Sequence, residues 1–186
     1  MNQIKKFLFV AAAVMFVNAA FAQTGKTIMV GGAAMYPTKN IVENAVNSKD
    51  HTTLVAAVKA AGLVETLQSA GPFTVFAPTN KAFEMLPSGT VDNLLMAENK
   101  PQLTTVLTYH VVAGKYNSMD LAKLIKKGNG MAILKTVAGK NLSIMMEGKK
   151  IAIKDENGSV AYVTIKDVNQ SNGVIHVIDH VLLYKM

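Results

Sequence analysis

The sequence predicts one α+β domain. Apolar residues recur at helical spacing between Ile41 and Ile125, whereas short β-rich runs divided by Gly-containing turns fill the chain after Gly130. No repeat, low-complexity tract or linker separates the two textures, so early helices and late antiparallel strands share one core. A length of 186 residues suits a single domain.

Composition narrows the function classes. Half of the residues are hydrophobic, which is enough for a packed core and excludes a disordered chain. Cysteine is absent, so a disulfide scaffold, a zinc–thiolate site and a thiol nucleophile are excluded. All 19 basic residues are Lys, against 12 acids, for a net charge of +7. Without Arg there is no bidentate fork for phosphate or guanine, and aromatics are only 6% of the chain, which argues against nucleic acid as a partner.

Residues 1–22 read as a secretory signal. Lys5 and Lys6 form a positive start, Phe7 to Val17 is an apolar run of 11 residues, and Ala20-Phe21-Ala22 gives a small-x-small site before Gln23. The run is short of the roughly 20 residues that span a bilayer, so cleavage after Ala22 is expected rather than anchoring. Loss of Lys5 and Lys6 leaves 17 Lys against 12 acids, a charge of +5. No later stretch of the mature chain is long enough to cross a membrane, and the protein is expected to be extracellular, at the cell surface or periplasmic.

The elements follow in order. Residues 23–36 show no clear period and read as a flexible leader, with the domain itself over 37–186. Pro37 suits a first helical turn, and Ile41, Val42, Ala45 and Val46 share a helical face. Asp50 to Thr53 offers cap oxygens to a helix carrying Leu54, Val55, Val58 and Ala61; Gly62 stops it, and Leu63, Val64 and Leu67 form a second short piece. Phe73 to Ala77 reads as a buried strand. Thr79 or Asn80 is placed to cap a helix with Ala82, Phe83 and Leu86. Thr90 and Pro101 open two further helices, and Tyr109 to Val112 exits into a strand. Ser118 is expected to cap the helix of Leu121, Leu124 and Ile125, which Gly128 stops. Strands are expected near 131–137, 141–146, 150–154, 159–166 and 174–184, joined by hairpin turns with Gly where positive φ is needed.

Three segments carry a resemblance. They are Thr74-Val75-Phe76-Ala77-Pro78-Thr79-Asn80-Lys81-Ala82-Phe83, then Leu107-Thr108-Tyr109-His110-Val111-Val112, then Asn172-Gly173-Val174-Ile175-His176-Val177-Ile178-Asp179. In this order and spacing they resemble the fasciclin domain family over roughly residues 37–184. The resemblance implies an antiparallel β-wedge of about seven strands with several short helices packed on it. It also implies an extracellular adhesion or interaction role with no catalytic activity.

The candidate residues divide between chemistry and support. Asn80 stands between strand and helix, where a side-chain amide caps and binds turn backbone. Tyr109 and His110 lie in an apolar setting, where both residue types satisfy internal hydrogen bonds; the resemblance links the pair to receptor binding in animal members. Asp167-Val168 stands where the resemblance places an Asp-Ile pair linked to integrin binding, with Val here in place of Ile. His176 and Asp179 belong to the third segment. On a strand His176 and His180 would lie about 13 Å apart, too far to chelate one ion, so no metal is expected and no cofactor is implied.

No Gly-x-Ser-x-Gly, phosphate loop or His-Glu-x-x-His occurs, which argues against an enzyme. The leading expectation is therefore a secreted, non-enzymatic domain that attaches to a cell-surface or matrix protein or glycan, anionic in view of the Lys surplus. The alternative is a soluble carrier of an apolar small molecule, a pigment or lipid, suggested by the 11 Met residues.

Overall fold

Phe73-Thr74-Val75-Phe76-Ala77 lacks a polar face, and its place in the molecule explains why. In the computed structural model, which describes residues 25–185, strand β3 (Phe73–Pro78) lies inside a seven-stranded sheet. Its neighbours are β4 (Val111–Ala113) and β9 (Gly173–Ile178), and the sheet continues through β8 (Val160–Gln170), β7 (Lys150–Lys154), β6 (Asn141–Glu147) and β5 (Met131–Lys135). Beyond the two ends, Val112 bridges Thr136 and the Val137 N–H donates to the Val111 carbonyl at 2.8 Å, so the sheet is nearly closed.

One seam departs from the expected antiparallel pattern. β3 and β9 run parallel, from Phe73 opposite Gly173 to Pro78 opposite Ile178. Parallel neighbours need a long crossover, and the whole segment between Pro78 and Gly173 supplies it. Both strands are covered on each face, as continuous apolar runs require. Val75, Ala77, Ile175 and Val177 face a core shared with the helices, while Phe76 and Ile178 face a second core inside the wedge.

Helices α1 (Ile41–Ala45), α2 (Thr52–Ala61), α3 (Val64–Gln68), α4 (Asn80–Glu84), α5 (Thr90–Leu95) and α6 (Lys100–Tyr109) gather on the first core. Helix α7 (Ser118–Lys127) buries Leu121 and Ile125 in the second, against Leu142, Ile144 and Ile153. The caps refine the sequence reading. Asn40, not Pro37, opens α1, in a capping box with Glu43. Asn117 rather than Ser118 caps α7, accepting from the N–H groups of Met119 at 2.9 Å and Asp120 at 3.0 Å. Thr79 caps α4, and Gly89 precedes α5, with Thr90 its first residue. Gly62 ends α2 at φ 74°, a conformation that L side chains adopt at a cost.

The segment read as a flexible leader is different in the structure. Strands β1 (Ile28–Val30) and β2 (Ala33–Met35) form an antiparallel hairpin, and Val30 and Met35 are buried in the first core. The signal carried no usable period because three-residue strands hold too few residues to show one. The expected cleavage after Ala22 lies outside the described residues.

The last strand is also shorter than its apolar sequence suggests. β9 stops at Ile178 because the following backbone finds side-chain partners instead of a ladder: Leu182 N–H donates to His110 Nε2 at 2.9 Å, and Leu183 N–H to Asp155 Oδ2 at 3.0 Å. β8 runs longer than expected, with register shifts on both sides of Ile165 that hold it beside β9 to Gln170. No helix among the described residues is long and apolar enough to cross a membrane.

Candidate functional site

Tyr109 and His110 close α6, and the helix geometry sends both rings inward. The Tyr109 hydroxyl donates to the Asn141 carbonyl at 2.9 Å and accepts from the Glu156 N–H at 3.1 Å. Burial pushes its pKa up to about 12. His110 Nδ1 donates to the Val106 carbonyl at 2.8 Å, one turn back, while Nε2 accepts from Leu182 N–H at 2.9 Å. Both nitrogens are thereby engaged and the tautomer is fixed. Burial pushes the His110 pKa down to about 4, so the ring is neutral at pH 7. Its carbonyl accepts from Phe76 N–H, which ties α6 to β3 as well.

His176 is a second internal strut. It is fully buried in β9, stacks on Phe76 at 5.8 Å between centroids, and donates from Nε2 to the Tyr116 carbonyl at 2.9 Å. Its Nδ1 accepts from Asp167 N–H at 3.3 Å, and burial lowers its pKa. Both ring nitrogens are thereby engaged within the fold. His180 lies past the end of β9, where its Nδ1 meets the Asp179 carboxylate at 2.8 Å. That carboxylate also accepts from Tyr162 N–H at 2.7 Å, so Asp179 fixes the chain as it leaves β9.

Asp167 sits on the β8 irregularity at φ 60°. The turn this creates aims its carboxylate at the start of α7: Oδ1 accepts from Ser118 N–H at 2.6 Å and Oδ2 from the Ser118 hydroxyl. Val168 beside it is 1% exposed and packs in the first core. The carboxylate of half-buried Asp167 is thus engaged by α7, while Val168 faces the core. Asn80 has a role its position in α4 does not advertise. Its Oδ1 accepts from Thr53 N–H at 3.0 Å, and its Nδ2 donates to the Lys49 carbonyl at 2.8 Å and the Thr52 hydroxyl at 3.0 Å. It therefore caps α2 from across the fold.

Residues missed by sequence reasoning complete this internal network. Asn172, which opens the third segment, accepts from Ile41 N–H at 3.0 Å and donates to the carbonyls of Leu67 and Ser69, both at 2.8 Å. Asn44 pairs with Gln170 and with both backbone groups of Tyr36. Buried amides in an apolar setting were the available signal, since such groups require partners.

Two of the concavities among the described residues bear on function. One is a groove of ≈410 Å³ between the start of α7 and the β6–β8 surface, where Lys149, Lys150 and Lys166 surround Met119, Met146 and Val163. No carboxylate lines it. The other is an apolar cavity of ≈80 Å³ under the β1–β2 hairpin.

A fasciclin domain model matches residues 49–184, which spans most of the chain. The chain belongs to the fasciclin domain family. The chain is 45% identical over 163 residues to protein sll1483 of Synechocystis sp. (strain ATCC 27184 / PCC 6803 / Kazusa), covering 88% of this chain and 83% of that one. It is 36% identical to the transforming growth factor-beta-induced protein ig-h3 of Sus scrofa, covering 69% of this chain and 17% of the longer relative. A FAS1 domain pair from the insect cell adhesion molecule fasciclin I matches the fold with a TM-score of 0.71 at 24% identity, covering 80% of this chain and 52% of that one. The fasciclin fold is thus shared with an adhesion molecule, and in this chain Asn80, Tyr109, His110, Asn172, His176 and Asp179 of the three motifs hydrogen-bond within the fold.

Proposed function

We propose that this chain is an exported, non-enzymatic fasciclin domain that attaches to anionic glycan at a cell surface or matrix, using the groove of Lys149, Lys150 and Lys166. Family membership supports an adhesive role, and the groove is the observation that carries the choice of partner. Its three ammonium groups are exposed, and none of them pairs with a carboxylate among the described residues. Lys150 Nζ lies 5.6 Å from the Tyr162 ring centre, which orients it without neutralising it. Point-charge ammonium groups suit dispersed carboxylates or sulfates on a polysaccharide better than a bidentate site would.

The test is binding of the full-length mature chain to alginate at low and at physiological ionic strength. Affinity is expected to fall with salt as the charges are screened. Replacing Lys149, Lys150 and Lys166 by Ala is expected to remove most of the binding and flatten the salt dependence. Salt-insensitive binding would leave the Lys surplus as a solubility device only.

A further inference from the structure

The positive charge of the chain is gathered on one half of the fold. Residues 25–110, which form β1–β3 and α1–α6, carry six Lys against six acids. Residues 111–185, which form β4–β9 and α7, carry 11 Lys against six acids. Only Lys123 and Lys140 of those 11 lie within ion-pair distance of a carboxylate among the described residues. Acids of this half are turned to internal partners: Asp167 to Ser118, Asp179 to Tyr162 N–H, and Glu147 to the Tyr162 hydroxyl at 2.6 Å. The Lys surplus therefore stands on the wedge strands and α7 and is left to act on a partner.

On that half, the groove of Lys149, Lys150 and Lys166 is not only cationic. Met119 and Met146 line it too, and they are 67% and 41% exposed. Along α7, Met119, Ala122, Lys123 and Lys126 fall at the spacing of one helical face, and all four are exposed, so the mixture of apolar and basic side chains extends past the groove. Long apolar side chains held in water gain little from a hydroxylated polysaccharide. They gain at the boundary between lipid headgroups and acyl chains, where apolar burial and attraction to anionic headgroups add together. Each Lys beside them is drawn to a negative leaflet, and its methylene stem can lie along the same boundary. We infer that this face of α7 and the β6–β8 surface docks on an anionic lipid bilayer, with Lys149, Lys150 and Lys166 at the headgroup phosphates and Met119 and Met146 entering the acyl boundary. The inference shares its lysines with the glycan reading but goes beyond it, because the two methionines are a requirement of the bilayer alone.

The experiment is co-sedimentation of the full-length mature chain with vesicles of phosphatidylglycerol and phosphatidylcholine, with vesicles of phosphatidylcholine alone, and a parallel measurement on alginate. Binding is expected to the anionic vesicles only, and to weaken with salt. Met119→Ser with Met146→Thr is expected to lower vesicle affinity about ten-fold and to leave alginate binding unchanged. A second readout needs no variant. In bicelles containing phosphatidylglycerol, a nitroxide-labelled lipid should broaden the methyl signals of Met119 and Met146 ahead of those of Met29 and Met85, which are as exposed but lie in the other half. Equal vesicle affinity of the methionine variant and the wild type would overturn the docking, as would equal binding to phosphatidylcholine alone or no binding to either vesicle. Broadening that favours Met29 and Met85, or a methionine variant that loses alginate binding in step with vesicle binding, would also overturn it. Vesicle binding with no binding to alginate would remove the glycan reading and support this one.

Discussion

The carboxylate of Asp167 receives both the backbone N–H and the hydroxyl of Ser118, 49 residues earlier in the chain. This pairing joins the irregular bend of β8 to the first residue of α7, the helix that fills the wedge. It converts an acid that reads as a surface recognition residue into a clamp between sheet and helix.

Asp167→Ala should therefore destabilise the fold by about 1–3 kcal/mol, because two charge-assisted bonds are lost at once. Asp167→Asn keeps one acceptor for Ser118 N–H and tolerates the left-handed backbone, so a smaller loss is expected. Urea denaturation of both variants checks the order. Equal stability of Asp167→Ala and wild type would show that the clamp contributes nothing.

His110→Ala removes a ring bonded at both nitrogens and leaves the Leu182 N–H buried without its acceptor. The expected cost is about 1–3 kcal/mol. Glycan binding should persist wherever the variant remains folded. Thermal melting and binding measured on one preparation test this; an unchanged melt with abolished binding would place His110 at the partner interface.

Acid sensitivity follows from the same ring. The folded pKa of His110 is about 4, below the unfolded value of 6.5, so the unfolded chain takes up the proton first as pH falls. Stability is fully present above pH 6.5 and declines as pH falls from there towards 4, by about 3 kcal/mol for this group. His51 and His176, also lowered by burial, act in the same direction. Urea midpoints at pH 7 and pH 5 should show the loss, and His110→Gln should show a smaller one. Identical pH dependence in the two proteins would remove His110 as a cause.

Tyr109→Phe keeps the ring but deletes the hydroxyl that links the Asn141 carbonyl to the Glu156 N–H. A loss of about 1–2 kcal/mol is expected, since both backbone groups lose a partner at a part-buried site. Hydrogen exchange at Glu156 should quicken in the variant; an unaltered rate there would count against the bridge.

Processing is tested by intact mass. Exported protein should begin at Gln23, with residues 1–22 missing. A full-length mass in the exported fraction would contradict the signal reading.

What the sequence by itself determined is local. Helices around Leu54–Ala61 and Leu121–Ile125, their Gly stops, and the hairpins after Gly130 are set by spacings of a few residues, so the pattern is visible in the chain. The three family segments were legible for the same reason, as short runs in fixed order. The tertiary structure alone decided which side chains are free. Asn80 caps α2 from 27 residues away, His110 meets Leu182 across 72, and Asn172 meets Ile41 across 131. No local period encodes those distances, because a buried polar group needs a partner but does not specify where in the chain it lies. The parallel β3–β9 seam and the hairpin over the apolar cavity were hidden likewise: each exists only where distant segments are brought into register by a shared core.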